Sequence, residues 1–208
     1  APCFDRETTT QRLADVIFRA FAQIDPENVI AAGCGAVTFF SIAGQDTRSG
    51  KPYVYVETIG GGNGARYNKD GLDAVQVHMT NSSNLPIESL EMEYPLLVKE
   101  YALEEDSGGP GKYRGGLGIR RSICILPESQ DTVLGAASTE RSKTKPWGLM
   151  GGLGGATSYL DVIHEGEKIN STDKVRNVPL APGDEVTLVS AGGGGYGAPE
   201  ARETAKVL

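Results

Sequence analysis

Several residues on which common kinds of site depend are scarce in this sequence. Among 208 residues there are two histidines, one tryptophan and three cysteines. Cys3, Cys34 and Cys124 are odd in number and widely spaced, so the sequence predicts neither a disulfide framework nor a CxxC zinc site. This cysteine usage is typical of a reducing compartment and predicts a cytoplasmic location.

Long apolar runs and an excess of positive charge are also missing. No segment resembles a signal peptide or a twenty-residue membrane span. Lys and Arg number 20 against 27 Asp and Glu, and the net charge is −7. Because an acidic chain repels phosphate backbones and anionic lipids, neither nucleic acid nor a membrane is expected as the main partner. The 39% of hydrophobic residues suffices for the core of a single domain over residues 1–208.

Glycine, in contrast, is abundant and clustered. Many of the 28 glycines fall in four clusters, at 60–64, 108–118, 148–155 and 192–197. Segments with β or helical patterns separate the clusters, whereas a flexible linker would lack such segments. The clusters therefore predict tight turns within a folded domain, since glycine adopts positive φ without steric cost.

The hydrophobic pattern predicts one helix and several strands. Thr8 and Gln11 have the spacing of a capping box, and Asp25-Pro26 ends the helical run, which gives a helix at 9–24. Its apolar residues at helical spacing are Leu13, Val16, Ile17, Ala20, Phe21 and Ile24. Strands are predicted at 36–42, 52–58, 94–103, 118–126, 131–138, 157–163 and 185–190, with turns at 45–51 and 180–184. The fold class is α+β, strand-rich with one clear N-terminal helix and several glycine-rich turns.

The first glycine cluster formally matches a dinucleotide fingerprint. Residues 60–65 follow a predicted strand and read G-x-G-x-x-A. A pyrophosphate site needs a helix directly after the loop, but residues 66–71 read as a turn. Neither Lys112 nor Lys143 lies in a P-loop frame. The sequence therefore contains no nucleotide-binding motif.

Residues 78–93 form a polar stretch with two interpretations. It contains His78, Asn81, Asn84, Glu88, Glu91 and Glu93. In a functional interpretation, the amides orient a polar substrate and a carboxylate acts as a base or joins His78 on a metal. In the alternative, the amides hold loops through backbone hydrogen bonds and the glutamates are solvated. The residues alone favour the second interpretation.

Two arginines beside the glycine clusters are candidate anion-binding residues, and two aromatic residues are candidate interface residues. Arg114 and Arg120 can hold carboxylates or phosphates, or can pair with the acidic run at 100–106. Residues 192–197 bury almost no side chain except Tyr196, so neighbouring backbone, a ligand or a partner must order them. Tyr196 and Trp147 are predicted interface residues.

Four blocks in fixed order resemble the hydantoinase B/oxoprolinase family. They are ETIGGGNGARYNKDGLDAVQVHMTNSSNLPIESLEMEYPLLVKEYAL, DSGGPGKYRGGLGIRR, STERSKTKPWGLMGG and PGDEVTLVSAGGGGYGAP. The resemblance runs from about Thr8 to about Arg202. It is to the C-terminal portion of the B-type subunit of 5-oxoprolinases, N-methylhydantoinases and acetone and acetophenone carboxylases.

This resemblance implies ATP-dependent opening of a cyclic amide, or a related ATP-dependent carboxylation. It implies that ATP with Mg²⁺ is handled by an A-type partner subunit, and that the upstream part of the B-type subunit is a second partner. A divalent metal would be bound mainly outside this chain, because His78 and His164 cannot form a multi-histidine site. The alternative is a non-catalytic structural subunit of the same complex.

The resemblance and the polar stretch together give a set of expected site residues. The expected catalytic residues are His78, Asn84 and Glu88. A phosphorylated acyl intermediate needs fixed donors, arginines and exclusion of water. The expected substrate-binding residues are accordingly Gly61, Gly62, Asn63, Arg66, Asn81 and Arg114. The metal ligands and the small-molecule substrate stay unassigned.

Overall fold

A computed structural model describes residues 6–35, 38–172 and 174–206. In this part of the chain there are two α-helices and nine strands. They are α1 (Arg6–Phe21), β1 (Thr38–Asp46), β2 (Lys51–Ile59), α2 (Ile87–Glu93), β3 (Leu96–Leu103), β4 (Ile119–Ile125), β5 (Val133–Ser138), β6 (Tyr159–His164), β7 (Glu167–Thr172), β8 (Lys174–Leu180) and β9 (Glu185–Val189). The predicted α+β class with a helix near the N-terminus is confirmed.

The strands form two antiparallel sheets, ordered β2-β1-β5-β8 and β3-β4-β9-β6-β7. β1 and β2 pair from Thr38 with Ile59 to Asp46 with Lys51, which leaves only residues 47–50 for the turn. The inner faces of both sheets share one hydrophobic cluster, to which Leu90 of α2 also belongs. Burial alternates along β2, as expected for a strand with one face on a core.

Most strands agree with the sequence prediction to within a few residues at their ends. Of the strand predicted at 36–42, residues 38–42 lie in β1, and 36 and 37 lie outside the described residues. The sequence analysis missed α2, β7 and β8. β7 is largely polar and lies at the outer edge of its sheet; β8 is also an edge strand, but it buries Val175 and Leu180 without a period-2 pattern.

Helix α1 differs from its prediction in its start and in its orientation. It begins at Arg6, so Thr8 and Gln11 lie within it and the capping-box prediction is wrong. Gln11 is fully buried, and its Nε2 donates to Thr80 Oγ1 at 3.2 Å. Asp15, one turn further, is also buried, whereas the apolar residues on the opposite face are exposed. An amphipathic helix normally does the reverse.

The four glycine clusters lie together and hydrogen-bond to one another through their backbones. We call residues 60–65, 108–118, 148–156 and 191–197 the glycine layer. Gly193 N donates to Gly116 O at 2.8 Å, and Gly116 N donates to Asn63 O at 2.8 Å. Gly62 N donates to Ala191 O at 3.0 Å. The layer is therefore a second packed region, built from extended backbone rather than from side chains.

Close approach, and not positive φ, explains most of these glycines. Of the glycines in the layer only Gly151 and Gly197 have positive φ, so the turn-based explanation from the sequence is wrong for the other glycines. A Cβ built on Gly193 would lie 1.9 Å from Asn63 O, where real Cβ atoms stay beyond 3.0 Å. Only residues without a Cβ let the segments pack at hydrogen-bonding distance.

The segment 192–197 is ordered by its own chain. Tyr196 is 5% exposed, and its hydroxyl donates to Pro26 O at 3.1 Å. Of the three alternatives offered by the sequence, neighbouring backbone is the one observed. Because Tyr196 is buried in its own chain, it has little surface with which to contact a partner, and its interface role stays a prediction. Trp147 is half-buried, with the guanidinium of Arg19 5.7 Å from its ring.

Candidate functional site

Asp15, Arg141 and His78, from distant parts of the sequence, meet through their side chains in a group centred on the buried Asp15 carboxylate. His78 Nε2 lies 3.0 Å from Asp15 Oδ1, and Arg141 Nη2 donates to Asp15 Oδ2. The side chains of Asp15, Arg141 and His78 are 3%, 5% and 8% exposed. We call these three residues the Asp15 cluster. Its carboxylate is fixed on both oxygens, which orients both partners.

Two members of the Asp15 cluster have unusual backbone conformations. The φ of His78 is +57° and that of Arg141 is +62°. Non-glycine residues rarely adopt positive φ, and such strain concentrates at functional sites. The surrounding structure therefore holds both side chains at Asp15 against a local conformational cost.

Polar atoms in and beside the Asp15 cluster lack protein partners within the described residues. Gln11 Oε1 and Arg141 Nε are both buried without a hydrogen bond. Burial lowers the pKa of Arg141, and the nearby charge of Arg12 acts in the same direction, while Asp15 opposes it. Buried atoms without partners in native proteins call for an explanation such as water, a ligand or a catalytic role.

The hydrogen bond to Asp15 sets the chemistry of His78. A carboxylate oxygen is an acceptor, so Nε2 carries the proton and a neutral ring has its lone pair on Nδ1. Nδ1 makes no hydrogen bond with the described residues. The pair can therefore accept a proton at Nδ1 while Asp15 stabilises the resulting imidazolium, as a general base requires.

A second buried polar group surrounds Glu57 on β2. Arg121 Nη2 donates to Glu57 Oε1 at 3.2 Å, Tyr55 Oη donates to Oε2 at 2.6 Å, and Asn84 Nδ2 donates to Oε1 at 2.8 Å. Arg121 Nε is 2.7 Å from Oε2 but outside hydrogen-bond geometry, so this contact is an ion pair only. Burial and then Glu57 raise the pKa of Tyr55 well above its ordinary value. We call Glu57, Arg121, Tyr55 and Asn84 the Glu57 cluster.

The Glu57 cluster borders a cleft of about 420 Å³ lined by residues 55–58, 83–86 and Tyr94. This volume is within the range of small-molecule sites. Asn84, however, has its amide engaged: Nδ2 also donates to Thr58 O at 3.0 Å, and Oδ1 accepts from Tyr101 at 2.9 Å. These contacts are those of the loop-holding interpretation.

The structure places the other expected residues apart from these two clusters. Asn81 and Glu88 are exposed, Arg66 is half-buried at the start of a turn, and Gly61 and Gly62 are buried in the glycine layer. Asn63 Oδ1 accepts from Gly64 N at 2.9 Å. Arg114 pairs with Asp73 at 3.2 Å. No hydrogen bond or ion pair joins any two of the nine expected residues within the described part of the chain.

Sequence analysis missed Asp15, Glu57 and Arg141. The signal that could have identified Asp15 is its i, i+4 spacing from Gln11, on the face of α1 opposite the apolar residues. Arg141 has no such local signal, because it meets Asp15 across 126 positions.

No metal centre is formed by the described residues. No group of three His, Cys, Asp or Glu side chains is arranged there to hold a metal ion. The Asp15 cluster contains two such side chains, and Arg141 occupies the remaining carboxylate oxygen. A divalent metal therefore does not fit this cluster.

The second histidine titrates in a different environment. His164 Nδ1 lies 2.6 Å from Asp184 Oδ1, and this hydrogen bond, with the carboxylate charge, raises the pKa of His164. Because the folded state favours the charged ring, the pair stabilises the fold below the unfolded pKa, and this contribution is lost as pH rises through the folded pKa.

We expect proton NMR titration to resolve two histidine signals, with His164 titrating above the ordinary value of about 6.5. Asp184→Asn should bring its midpoint back towards that value. The His78→Asn variant assigns the signals by removing the other one. A His164 midpoint at or below 6.5 in the unsubstituted chain would contradict the ion pair.

None of the helices in the described residues is both long and apolar enough to cross a membrane. What the structure defines is an antiparallel two-sheet α+β protein with a glycine layer and a buried Asp–His–Arg group. The sequence profile of the family described as hydantoinase B/oxoprolinase matches residues 1–199. The chain belongs to this family.

Relatives and solved structures agree with this assignment. The chain is 35% identical over 210 residues to the B-type subunit of the putative D-/L-hydantoinase of Pseudomonas sp. (strain NS671), covering 100% of this chain and 34% of that one. The crystal structure of the ATP-dependent caprolactamase from Pseudomonas jessenii matches with a TM-score of 0.76 and 28% identity, covering 91% of this chain and 34% of that one.

A nucleotide-free structure of acetone carboxylase matches with a TM-score of 0.72, covering 94% of this chain and 30% of that one. Its 19% identity supports the fold alone. The chain thus spans about a third of the length of the hydantoinase subunit and of both solved chains.

Proposed function

We propose that this chain is part of an ATP-dependent enzyme that opens a cyclic amide. The observation that carries the proposal is the family match over residues 1–199, together with the likeness to a B-type hydantoinase subunit and to an ATP-dependent caprolactamase. Hydantoin and caprolactam are both cyclic amides. The carboxylase is the more distant match in sequence, so we favour hydrolysis over carboxylation.

ATP is handled, in this proposal, by an A-type partner subunit. The first glycine cluster, which formally resembles a dinucleotide fingerprint, and the clusters beside it make backbone hydrogen bonds to their own chain. Gly62 N and Gly193 N, for example, donate to Ala191 O and Gly116 O. Donors engaged in this way are not available to cradle phosphates.

Phosphorylation of the amide oxygen by the partner would turn a poor electrophile into a reactive one that water can attack. His78 is the residue best placed to assist that attack, because Asp15 holds its Nε2 proton and leaves Nδ1 as the base. Asn84 serves to position the 83–86 loop against β2. Glu88, Asn81 and Arg66 have side chains available to contact substrate where the partner subunits meet this chain.

The test of this proposal is His78→Asn in the assembled enzyme. Asparagine tolerates positive φ, so the backbone at residue 78 is preserved. Loss of a general base is expected to lower kcat by about 100-fold or more. In the pH dependence of kcat, the limb that reflects protonation of this base should disappear. The matched control is His164→Asn, which removes the other histidine and should leave turnover unchanged.

If correctly folded His78→Asn enzyme has the kcat of the unsubstituted enzyme, His78 takes no part in the reaction. This result would favour the alternative, a structural subunit, which the engaged amide of Asn84 and the buried glycine layer also suit.

The division of labour makes a separate prediction for the isolated chain. Isothermal titration calorimetry should detect no ATP binding at micromolar affinity, because the backbone donors of the glycine layer are already bonded. A heat signal that saturates in this range, with a stoichiometry near one, would refute the assignment of ATP to a partner.

A further inference from the structure

Helix α1 and the residues just after it expose a contiguous row of large apolar side chains. Leu13 is 56% exposed, Val16 64%, Ile17 45%, Phe21 56% and Ile24 83%. We call these five residues the α1 apolar face. Their spacing places them on one side of the helix, roughly opposite Gln11 and Asp15. Apolar patches of this kind on soluble proteins mark interaction surfaces.

The orientation of α1 is fixed by polar contacts on its other side. Gln11 bonds to Thr80, and Asp15 bonds to His78 and Arg141. Turning the apolar face inward would break these bonds, carry Asp15 out to solvent and leave the buried guanidinium of Arg141 without its carboxylate, which is strongly unfavourable. The exposure is therefore built into the fold and is not a sign of a loosely attached helix.

The composition of the α1 apolar face indicates a permanent partner. Four large apolar side chains are exposed along α1 and a fifth lies just after it, a density that resembles a domain core cut in half. Interfaces that form and dissociate are about as polar as the rest of a protein surface. A face of this kind needs cover for as long as the protein is folded.

The longer chains of the B-type hydantoinase subunit and of the caprolactamase indicate which protein segment could bind the α1 apolar face. This chain spans 34% of each, so about two thirds of a B-type polypeptide has no counterpart in it. We propose that the α1 apolar face docks against that part of a B-type polypeptide. The inference rests on family membership and on the exposed face, and it does not require the reaction proposed above.

The experiment is photo-cross-linking in cells that naturally contain this protein. A photoreactive amino acid replaces Val16 on the α1 apolar face, and the product is identified by mass spectrometry. We expect a cross-linked peptide of B-type sequence from outside residues 1–208, on the same or on a separate polypeptide. The matched control places the same amino acid at Glu167, an exposed position on β7 rather than on α1, and should not give that product.

A second variant keeps the test independent of labelling efficiency. Ile17→Glu with Phe21→Glu should lower the yield of the Val16 product at least tenfold while the circular dichroism spectrum stays unchanged, because both side chains are already exposed. A Val16 product with a second copy of residues 1–208 or with any other protein would overturn the proposal. So would the absence of any product at Val16. Since no outcome depends on turnover, failure here is distinguishable from failure of the proposed reaction.

Discussion

Gly193→Ala is expected to prevent the chain from folding. The new Cβ would lie 1.9 Å from Asn63 O, and backbone atoms of Asn63 and Gly64 surround the same position. The hydrogen bonds that Gly193 makes with Gly116 and Gly109 hold it there, so the clash cannot be relieved without separating three segments. We expect Gly193→Ala to cost more than about 4 kcal/mol. A cost of this size is exceptional for one methyl group and approaches the whole stability of a typical domain.

Circular dichroism and urea unfolding of the purified chain measure this effect. The matched control is Gly50→Ala, in the turn between β1 and β2, where nothing lies within 4 Å of the new Cβ and φ is +68°. This variant should lose only about 1–2 kcal/mol, the cost of a left-handed conformation for an L-residue. Cooperative unfolding of Gly193→Ala within about 2 kcal/mol of the unsubstituted chain would show that the glycine layer is not closely packed.

Arg121→Met is expected to destabilise the fold by about 3–5 kcal/mol, because it leaves the buried carboxylate of Glu57 without its counter-charge. The side chain of Arg121 is 0% exposed and that of Glu57 is 5% exposed, so water cannot replace the lost partner. The guanidinium also stacks on the Tyr101 ring, 4.5 Å from its centroid, and methionine keeps part of that packing.

The double variant Arg121→Met with Glu57→Gln tests the cause. Glutamine carries no charge; its Oε1 can still accept from Asn84, and its Nε2 can donate to the Tyr55 hydroxyl, so most of the lost stability should return. Lys206→Met is the control: it breaks the ion pair with Glu203, in which both side chains are exposed, and should change stability by less than about 1 kcal/mol. If the double variant is no more stable than Arg121→Met, an unpaired charge is not the reason for the loss.

The sequence predicted the elements whose pattern is local. β2 was recognised because the side chains of a half-buried strand alternate over a few residues. β7 and β8 were missed because neither has an alternating apolar pattern: β7 is largely polar, and the buried residues of β8, Val175 and Leu180, fall out of the period of two. Helix α1 was predicted from the spacing of its apolar residues, but that spacing does not show which face of the helix packs against the rest of the protein.

The candidate site was predictable only in part. His78 and Asn84 stood out as polar residues in one short stretch, and each lies in a buried cluster. Their partners were not predictable, because Asp15 is 63 positions from His78 and Glu57 is 27 positions from Asn84. Glu88 and Asn81, from the same stretch, are exposed to solvent.

By itself, the sequence determined the family, through four ordered blocks, and the α+β class, through short-range periodicity. It also determined that glycine is required in four clusters. Only the tertiary structure decided the reason for those glycines, the outward direction of the α1 apolar face and the meeting of Asp15, His78 and Arg141. Each of these depends on contacts between segments far apart in the chain. A local sequence pattern does not predict which distant backbone segment or charged side chain a residue will contact.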